Sequence, residues 1–406
     1  MESGVAVQDY DIGSHDSPEL SVIIVSYNSE DCITRCIRDV VAAAAAVQFE
    51  VIQVDNASKD ESVGAASREF GDAPWFAQIA NEENFGFGKA CNIGAARARG
   101  DYILFLNPDV FLLPGALRAS LDSFAVQDRC GAVMARTFWD DERQFQFSSL
   151  KNMSPLAEIV HQTSLRRIFG GRIFEKFWRM DWAAWVSDAP VEVLGVPGGY
   201  LMMPRALFRE LGGFDERFFM YYEDNDLCLR IRKAMHKIYL LPGATAIHYW
   251  GQSLRNYEGV GMRKTQRKSL NVFYAKHHPV LGRLLALSVS ADRLATRAAK
   301  RLAALFLGGA VSSGVPIGSP DGIELRWKSV PGAEYYFLEV TQDPCFLHKV
   351  GARVVGNSYF LSHQAYRMLA PDVYFWRAVP MVGRQPVGKI QVGRFRVLAH
   401  SEVREP

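Results

Sequence analysis

The spacing of apolar residues along this chain changes character twice. Residues 21–26, 49–55 and 101–106 are short, nearly continuous apolar runs, and longer segments such as residues 29–47 between them repeat their apolar positions at helical spacing. Short apolar runs bounded by turn residues read as buried strands, and strands alternating with helices predict βαβ units and a mainly parallel sheet. Ser29 is expected to N-cap the first helix, and the alanine run 42–46 favours helix. Beyond Gln252 the pattern turns helical throughout, with Leu281, Leu284, Leu285, Val289, Leu294, Leu302, Leu305 and Phe306 near helical spacing. After a Gly-, Ser- and Pro-rich stretch the period falls to two, and residues 322–328, 334–341, 349–355, 372–379 and 392–397 are expected strands of a small antiparallel sandwich.

These changes divide the chain into a flexible N-terminus (1–18), an α/β domain (19–254), a helical region (255–311), a linker (312–320), a β-sandwich (321–398) and a tail (399–406). A length of 406 residues is ample for two cores. A net charge of +2 gives no global field for nucleic acid, so a nucleic-acid partner is not expected. Locally the balance differs: ten Lys or Arg lie between Arg263 and Arg301 against one acid, Asp292. Basic amphipathic helices suit an anionic lipid surface, although a solvated helical face has the same composition. The six cysteines show no paired spacing, which argues against a zinc ribbon or a disulfide framework and for reduced thiols in a cytoplasmic protein. No apolar stretch is long enough to span a bilayer, and residues 1–18 are unlike a secretion signal.

The candidate chemistry lies where the strands of the α/β domain end. The run Tyr102-Ile103-Leu104-Phe105-Leu106 stops at Asn107-Pro108-Asp109, placing a carboxylate at the carboxyl edge of a central strand, where ligands bind in open α/β sheets. Ser26-Tyr27-Asn28 and Asp55-Asn56-Ala57-Ser58 end two other strands, and Asn84-Phe85-Gly86-Phe87-Gly88-Lys89 precedes a helix. Parallel strands bring these groups together. A carboxylate such as Asp55 can accept from a nucleobase imide, while Gly86, Gly88 and Lys89 suit a diphosphate, although an ordinary glycine loop has the same look. The run Gly212-Gly213-Phe214-Asp215-Glu216 leads to Tyr221-Tyr222-Glu223-Asp224-Asn225-Asp226, where three acids crowd beside aromatics. N-terminal capping of a helix over residues 227–235 accounts for one or two of them; a partly desolvated carboxylate also gains the basicity of a general base. His248-Tyr249-Trp250 follows a further apolar run.

As a set, Val22-Ile23-Ile24-Val25-Ser26-Tyr27-Asn28, Val54-Asp55-Asn56-Ala57-Ser58, Asn84-Phe85-Gly86, Leu106-Asn107-Pro108-Asp109, Gly198-Gly199, Gly212-Gly213-Phe214-Asp215-Glu216 and Glu223-Asp224-Asn225-Asp226-Leu227 resemble a family 2 glycosyltransferase of the GT-A fold, with closest likeness to rhamnosyltransferase-type enzymes of cell-surface polysaccharide synthesis. The resemblance covers residues 20–253. It implies an α/β, Rossmann-like, mainly parallel sheet and a single-displacement inverting transfer from a UDP- or TDP-sugar, such as a rhamnose donor, to a saccharide or lipid-linked acceptor. Ser26, Tyr27, Asn28, Asp55, Asn84, Gly86, Lys89 and Asn107 would bind the donor, and Asp109 and His248 would hold Mg or Mn. Asp224 would be the base with Glu223 assisting, and Gly198, Gly199, Asp226 and Trp250 would face the acceptor. Asn107 stands where many relatives carry a first Asp, so the metal motif has one charge here. The tryptophans Trp178, Trp182 and Trp185 are expected to pack in a core or to cover the acceptor. Trp327, Pro331-Gly332-Ala333 and Tyr374-Phe375-Trp376-Arg377 resemble a fibronectin type III module. The competing readings are a sugar nucleotidyltransferase, disfavoured because no glycine-rich basic loop follows the first strand, and a glycan-binding scaffold without turnover.

Overall fold

A computed structural model describes residues 17–45, 47–148, 163, 179–249, 262–280, 282–284, 287, 322–341, 349–362, 373–383 and 385–397. Trp178, Trp250, the linker, both termini and most of the basic region lie outside the described residues. The chain divides into two compact units. One takes the described residues up to Arg143 and from Ala183 to Val272; the other takes Gln144–Ser148, those up to Trp182, and those from Phe273 onward.

The first unit is built on the expected βαβ pattern. Strands β1 (Leu20–Ser26), β2 (Phe49–Asp55), β3 (Phe76–Ala80) and β4 (Tyr102–Leu106) are parallel in the order β3-β2-β1-β4. Helices α1 (Ile33–Ala43), α2 (Ser62–Phe70) and α3 (Phe87–Arg97) connect or follow them. All seven residues of β1 are buried, as two-sided coverage of a parallel strand requires. Helix α1 buries Ile33, Cys36, Ile37, Val40 and Ala43, a stripe at helical period. Each large aliphatic side chain so buried contributes roughly 1.5–3 kcal/mol. Gly94 in α3 allows close approach to the sheet: a Cβ there would stand 2.6 Å from the Ile23 side chain.

Beyond β4 the sheet becomes mixed. Strand β5 (Val110–Leu112) and helix α4 (Ala116–Val126) lead to β6 (Cys130–Phe138), and after the short strands β7 (Gln146–Phe147) and β8 (Val191–Glu192) the chain forms β9 (Tyr200–Pro204), α5 (Arg205–Glu210), α6 (Glu223–Lys233) and β10 (Lys237–His248). Strand β9 lies between β4 and β6, antiparallel to both, and β10 runs parallel to β6 while pairing antiparallel with β5 and β8. This antiparallel insertion was not part of the expected pattern. The α/β fold class stands, with a parallel half and a mixed half to the sheet.

Two local expectations are corrected. Ser29 does not cap α1: position 32 is its N-cap, no side chain caps it, and Ser29 instead accepts from the N–H groups of Cys32 and Ile33 through its carbonyl. Helix α6 begins at Glu223, four positions before the predicted start, so the acids form its first turn. There they meet the unsatisfied N–H groups and positive end of the helix dipole.

In the second unit, β11 (Gly322–Arg326) pairs with β14 (Ser358–Ser362), and the order β7-β13-β12-β15-β17 joins β12 (Tyr335–Thr341), β13 (Val350–Val354), β15 (Val373–Val382) and β17 (Gln391–Arg396), with β16 (Gln385–Pro386) as a hairpin return on β15. All pairings there are antiparallel. Strand β14 was not predicted from the sequence. Strand β7 belongs here although it lies early in the chain, and Trp182 packs edge-on against Phe337 at 4.8 Å. Core packing is therefore the place of Trp182. Three charges are buried in the same unit: Lys349 Nζ lies 2.7 Å from Glu339 and 3.3 Å from Asp181, and the partly exposed Arg377 also binds Glu339.

Candidate active site

The carboxyl ends of β1 and β2 are tied by their own polar side chains. The Ser26 hydroxyl donates to Asp55 Oδ2 at 2.8 Å, and Ser58 donates to Asp55 through its hydroxyl at 2.5 Å and its N–H at 2.8 Å. Asp55 is buried and serves only as acceptor, with one position on Oδ1 left for an incoming N–H. Asn28, at a positive φ of 50°, joins the same turn: its N–H donates to Ser58 and its side-chain oxygen accepts from the Lys59 N–H. Tyr27 lies beside it, half-buried.

The Asn84–Lys89 loop is fastened to the acidic segment. Asn84 accepts from the Gly86 N–H at 2.9 Å, and the Phe87 N–H donates to the Phe219 carbonyl at 3.0 Å. Gly86 has φ of 82°, and a Cβ there would come within 2.0 Å of the Phe219 oxygen, so only glycine fits. Lys89 lies over the Phe85 ring at 4.1 Å, a cation–π contact. Asn92, on α3, exchanges two hydrogen bonds with the backbone of Phe214, both at 2.9 Å.

Asp109 and His248 meet although 139 positions separate them, since β5 and β10 pair with Val110 opposite His248. His248 Nε2 lies 3.3 Å from Asp109 Oδ1, and Asp109 is buried. Gly199 leaves space beside them: a Cβ there would stand 3.3 Å from the Asn107 amide and 3.7 Å from the His248 ring. Arg35 clamps the same strand ends, over Phe111 at 3.9 Å and bonded to the Tyr249 hydroxyl at 3.1 Å. Among the described residues no three His, Cys, Asp or Glu converge as a metal cluster, so Asp109 and His248 would be a two-residue donor set. A buried carboxylate and an imidazole form a donor chemistry that fits Mg or Mn, with the remaining positions left to a ligand's oxygens.

The acids of α6 separate by environment. Asp224 Oδ2 accepts from the Gly198 N–H at 3.2 Å and Oδ1 from the Asn225 N–H at 2.7 Å. Burial raises the Asp224 pKa and these hydrogen bonds moderate the rise. Glu223 is buried, its Oε2 has no hydrogen-bond partner among the described residues, and its pKa is pushed well up by burial and by the Asp224 charge. Both sit behind Tyr221 and Tyr222, two consecutive residues at positive φ, of 69° and 70°. Strain of this kind gathers where a backbone is held for a purpose. Asp226 is not with them: fully buried, it pairs with Arg230 at 2.8 Å, one turn on, and Arg230 also binds the Leu211 carbonyl. That corrects its expected acceptor contact, because a buried ion pair inside α6 leaves no face for a substrate.

The model of glycosyl transferase family 2 matches residues 21–180, and one described as the N-terminal domain of galactosyltransferase matches residues 181–250. Residues 21–180 thus carry a family 2 glycosyltransferase domain. The chain is similar to N-acetylglucosaminyl-diphospho-decaprenol L-rhamnosyltransferase of Mycobacterium tuberculosis, 27% identical over 278 residues that cover 64% of this chain and 85% of that protein. It is also similar to the rhamnosyltransferase WbbL of Escherichia coli K12, 25% identical over 43% of this chain and 64% of that protein. Among solved structures it is similar to the mannosyltransferase PcManGT from Pyrobaculum calidifontis in complex with GDP-Man and Mn2+, at 17% identity and a TM-score of 0.44, covering 76% of this chain and 83% of that one.

In this glycosyltransferase, Ser26, Asn28 and Asp55 form one cluster, Asn107, Asp109, Gly199 and His248 a second, and Gly198, Glu223 and Asp224 a third. Reading residue types missed Ser58, Asn92 and Gln53. Gln53 carried a signal that went unused, an amide between Ile52 and Val54 inside a buried strand.

Proposed function

We propose that this glycosyltransferase moves a hexose or deoxyhexose, rhamnose among the candidates, from a UDP- or TDP-sugar to a saccharide acceptor carried on a lipid diphosphate, in building a cell-surface polysaccharide. The observation that carries this reading is Asp224 at the start of α6, its carboxylate held by the Gly198 N–H and raised in basicity by burial, in a domain whose Asp55 and Asp109–His248 groups lie at strand ends of one sheet. The rhamnosyltransferase relatives support the sugar and the lipid-linked acceptor.

Asp55 would take the imide N–H of the base, with Ser26, Tyr27 and Asn28 around it. Asn84, Gly86 and Lys89 would line the donor, and Asn107 would lie beside its diphosphate. Asp109 and His248 would hold Mg or Mn, which when bound neutralises the diphosphate leaving group. Asp224 takes the proton of the acceptor hydroxyl as its oxygen forms the new bond to the anomeric carbon; the bond to the diphosphate breaks with its electron pair, and the nucleoside diphosphate leaves. One displacement inverts the anomeric centre. A positioned base contributes about 10²–10⁴ in rate. Glu223, whose burial disfavours its charged form, would limit repulsion against Asp224. Gly198 and Gly199, lying between the second and third clusters, would border the acceptor.

No helix among the described residues is long and apolar enough to cross a membrane. Val280, Leu284 and Leu287 are exposed at helical spacing inside the basic region, which supports peripheral contact with anionic lipid at the cytoplasmic face. The two β-sheets of the second unit support reading it as a fibronectin type III-like sandwich. The test of the function is transfer from UDP- and TDP-sugars to a short-chain lipid-diphosphate N-acetylglucosamine with Mn present, following the product's anomeric configuration by NMR. Inverted product from the wild type and none from Asp224→Asn is the expected result; retained configuration would overturn the mechanism.

A further inference from the structure

Gln53 lies within β2, fully buried between Val51, Ile52 and Val54, in a strand whose other polar residues are Glu50 and Asp55. A buried amide costs free energy unless all its groups are bonded, and every group of Gln53 is bonded. Its Nε2 donates to Ser26 Oγ at 3.0 Å and to the Ser62 carbonyl at 3.4 Å, and its Oε1 accepts from Gln78 Nε2 at 2.8 Å. Gln78 in turn donates to the Val63 carbonyl and accepts from Ser67. Two backbone carbonyls, which can only accept, fix which end of each amide is which.

The direction of this chain has a chemical result. Because Gln53 donates into Ser26 Oγ, the one hydrogen of Ser26 is free to go elsewhere, and it goes to Asp55 Oδ2 at 2.8 Å. With Ser58 donating twice more, Asp55 is locked as an acceptor with one open position on Oδ1. An acceptor there welcomes a base with a ring N–H, such as uracil or thymine, and repels cytosine, whose ring nitrogen at the same place is itself an acceptor.

We propose that Gln53 is a specificity-determining positioning residue, which sets the direction of the Ser26–Asp55 hydrogen bond and so selects nucleoside diphosphates with an imide base over CDP. This rests on the reading of Asp55 as the base contact. Gln53 touches no part of the substrate; it works through Ser26.

Titration calorimetry of UDP, TDP and CDP, with steady-state kinetics, tests it. Gln53→Met, close in volume, is expected to weaken UDP and TDP about tenfold while CDP is unchanged or improved, and to raise the donor KM with kcat within about twofold. Ser26→Ala should give the same loss, and the double variant no more than either. Gln53→Glu provides a check that keeps a polar group at the position. Its carboxylate would draw the Ser26 hydrogen away from Asp55, so the UDP-to-CDP ratio should fall there as well, with the chain's thermal unfolding recorded alongside. Equal weakening of all three nucleotides, additive effects of the two substitutions, or an unchanged ratio in both Gln53 variants would overturn the proposal. If Asp55→Ala leaves the UDP-to-CDP ratio untouched, the base reading itself fails; if Asp55→Ala collapses the ratio and the Gln53 variants do not, only the relay fails.

Discussion

The Gly198 N–H holds one oxygen of Asp224 at 3.2 Å, while the backbone and amide of Asn225 hold the other. The carboxylate is thus aimed by groups that donate to it. Asp224→Asn keeps its shape and loses the proton acceptor, so kcat should fall by about 10²–10⁴ with donor KM nearly unchanged. The acid limb of the wild-type kcat–pH profile should lie above the ordinary carboxylate range, because burial raises this pKa and activity is lost as pH falls through it. A limb in the ordinary range of an exposed aspartate would contradict the base assignment.

Glu223 bears on stability. Its folded-state pKa is raised, chiefly by burial and then by Asp224, so the fold favours its protonated form. Stability from that preference is present at low pH and is lost as pH rises from the unfolded-state value through the raised one. Glu223→Gln should therefore raise Tm at pH 8, with the gain vanishing near pH 4. Scanning calorimetry at the two pH values measures it.

The donor pair of Asp109 and His248 predicts a specific metal response. His248→Ala should weaken Mn binding in the presence of UDP by at least the roughly 10–100-fold that loss of even a supporting residue causes. Manganese paramagnetic resonance reads this without turnover. Chelation should abolish transfer, and Mn should restore it.

Gly86 and Gly115 share a φ of 82° but differ in their neighbours. Nothing lies within 4 Å of a Cβ on Gly115, whereas one on Gly86 would collide with the Phe219 carbonyl. Gly115→Ala should cost only the backbone term, about 1 kcal/mol, and Gly86→Ala distinctly more together with donor affinity. Equal costs in urea unfolding would show that the Gly86–Phe219 contact yields freely.

In the second unit, Lys349→Met would leave Glu339 and Asp181 buried with one fewer cation. Removing one partner of a buried ion pair costs about 3–5 kcal/mol, so this unit should lose cooperative unfolding first. Circular dichroism of the full chain, with near-ultraviolet signals from Trp182 and Trp327, would follow it.

The sequence made β1, β2 and β4 legible because buried parallel strands are short, mostly apolar runs, and it placed Asp55 and Asp109 at strand ends for the same reason; β3, five residues with Gln78 in its middle, went unread. It did not reveal β9 between β4 and β6, since a five-residue antiparallel strand has no periodicity long enough to show its partner. Ser29 looked like a cap by residue type, but the chain makes a tighter turn first and spends its carbonyl there. Asp226 looked equivalent to Asp224 in a run of acids; only the i,i+4 reach of Arg230 distinguishes them. Strand β7 reads as part of the first domain because sequence proximity says nothing about which sheet a two-residue strand will extend.

Strand β10 keeps step with β6 until Leu241 faces Ala135, and then Thr245 faces Arg136, so Pro242, Gly243 and Ala244 are three surplus residues on one side. Paired residues share a face of the sheet, so His248 takes its side from its place opposite Val110 and not from the number of residues in the bulge. The bulge absorbs the surplus and lets β10 resume its pairing with β6 and reach β5. A change of bulge length that kept Thr245 opposite Arg136 would keep the histidine beside Asp109, whereas a slip of one residue in the pairing beyond it would turn the ring to the other face. The donor pair is set by register, and the length of the bulge is free to vary.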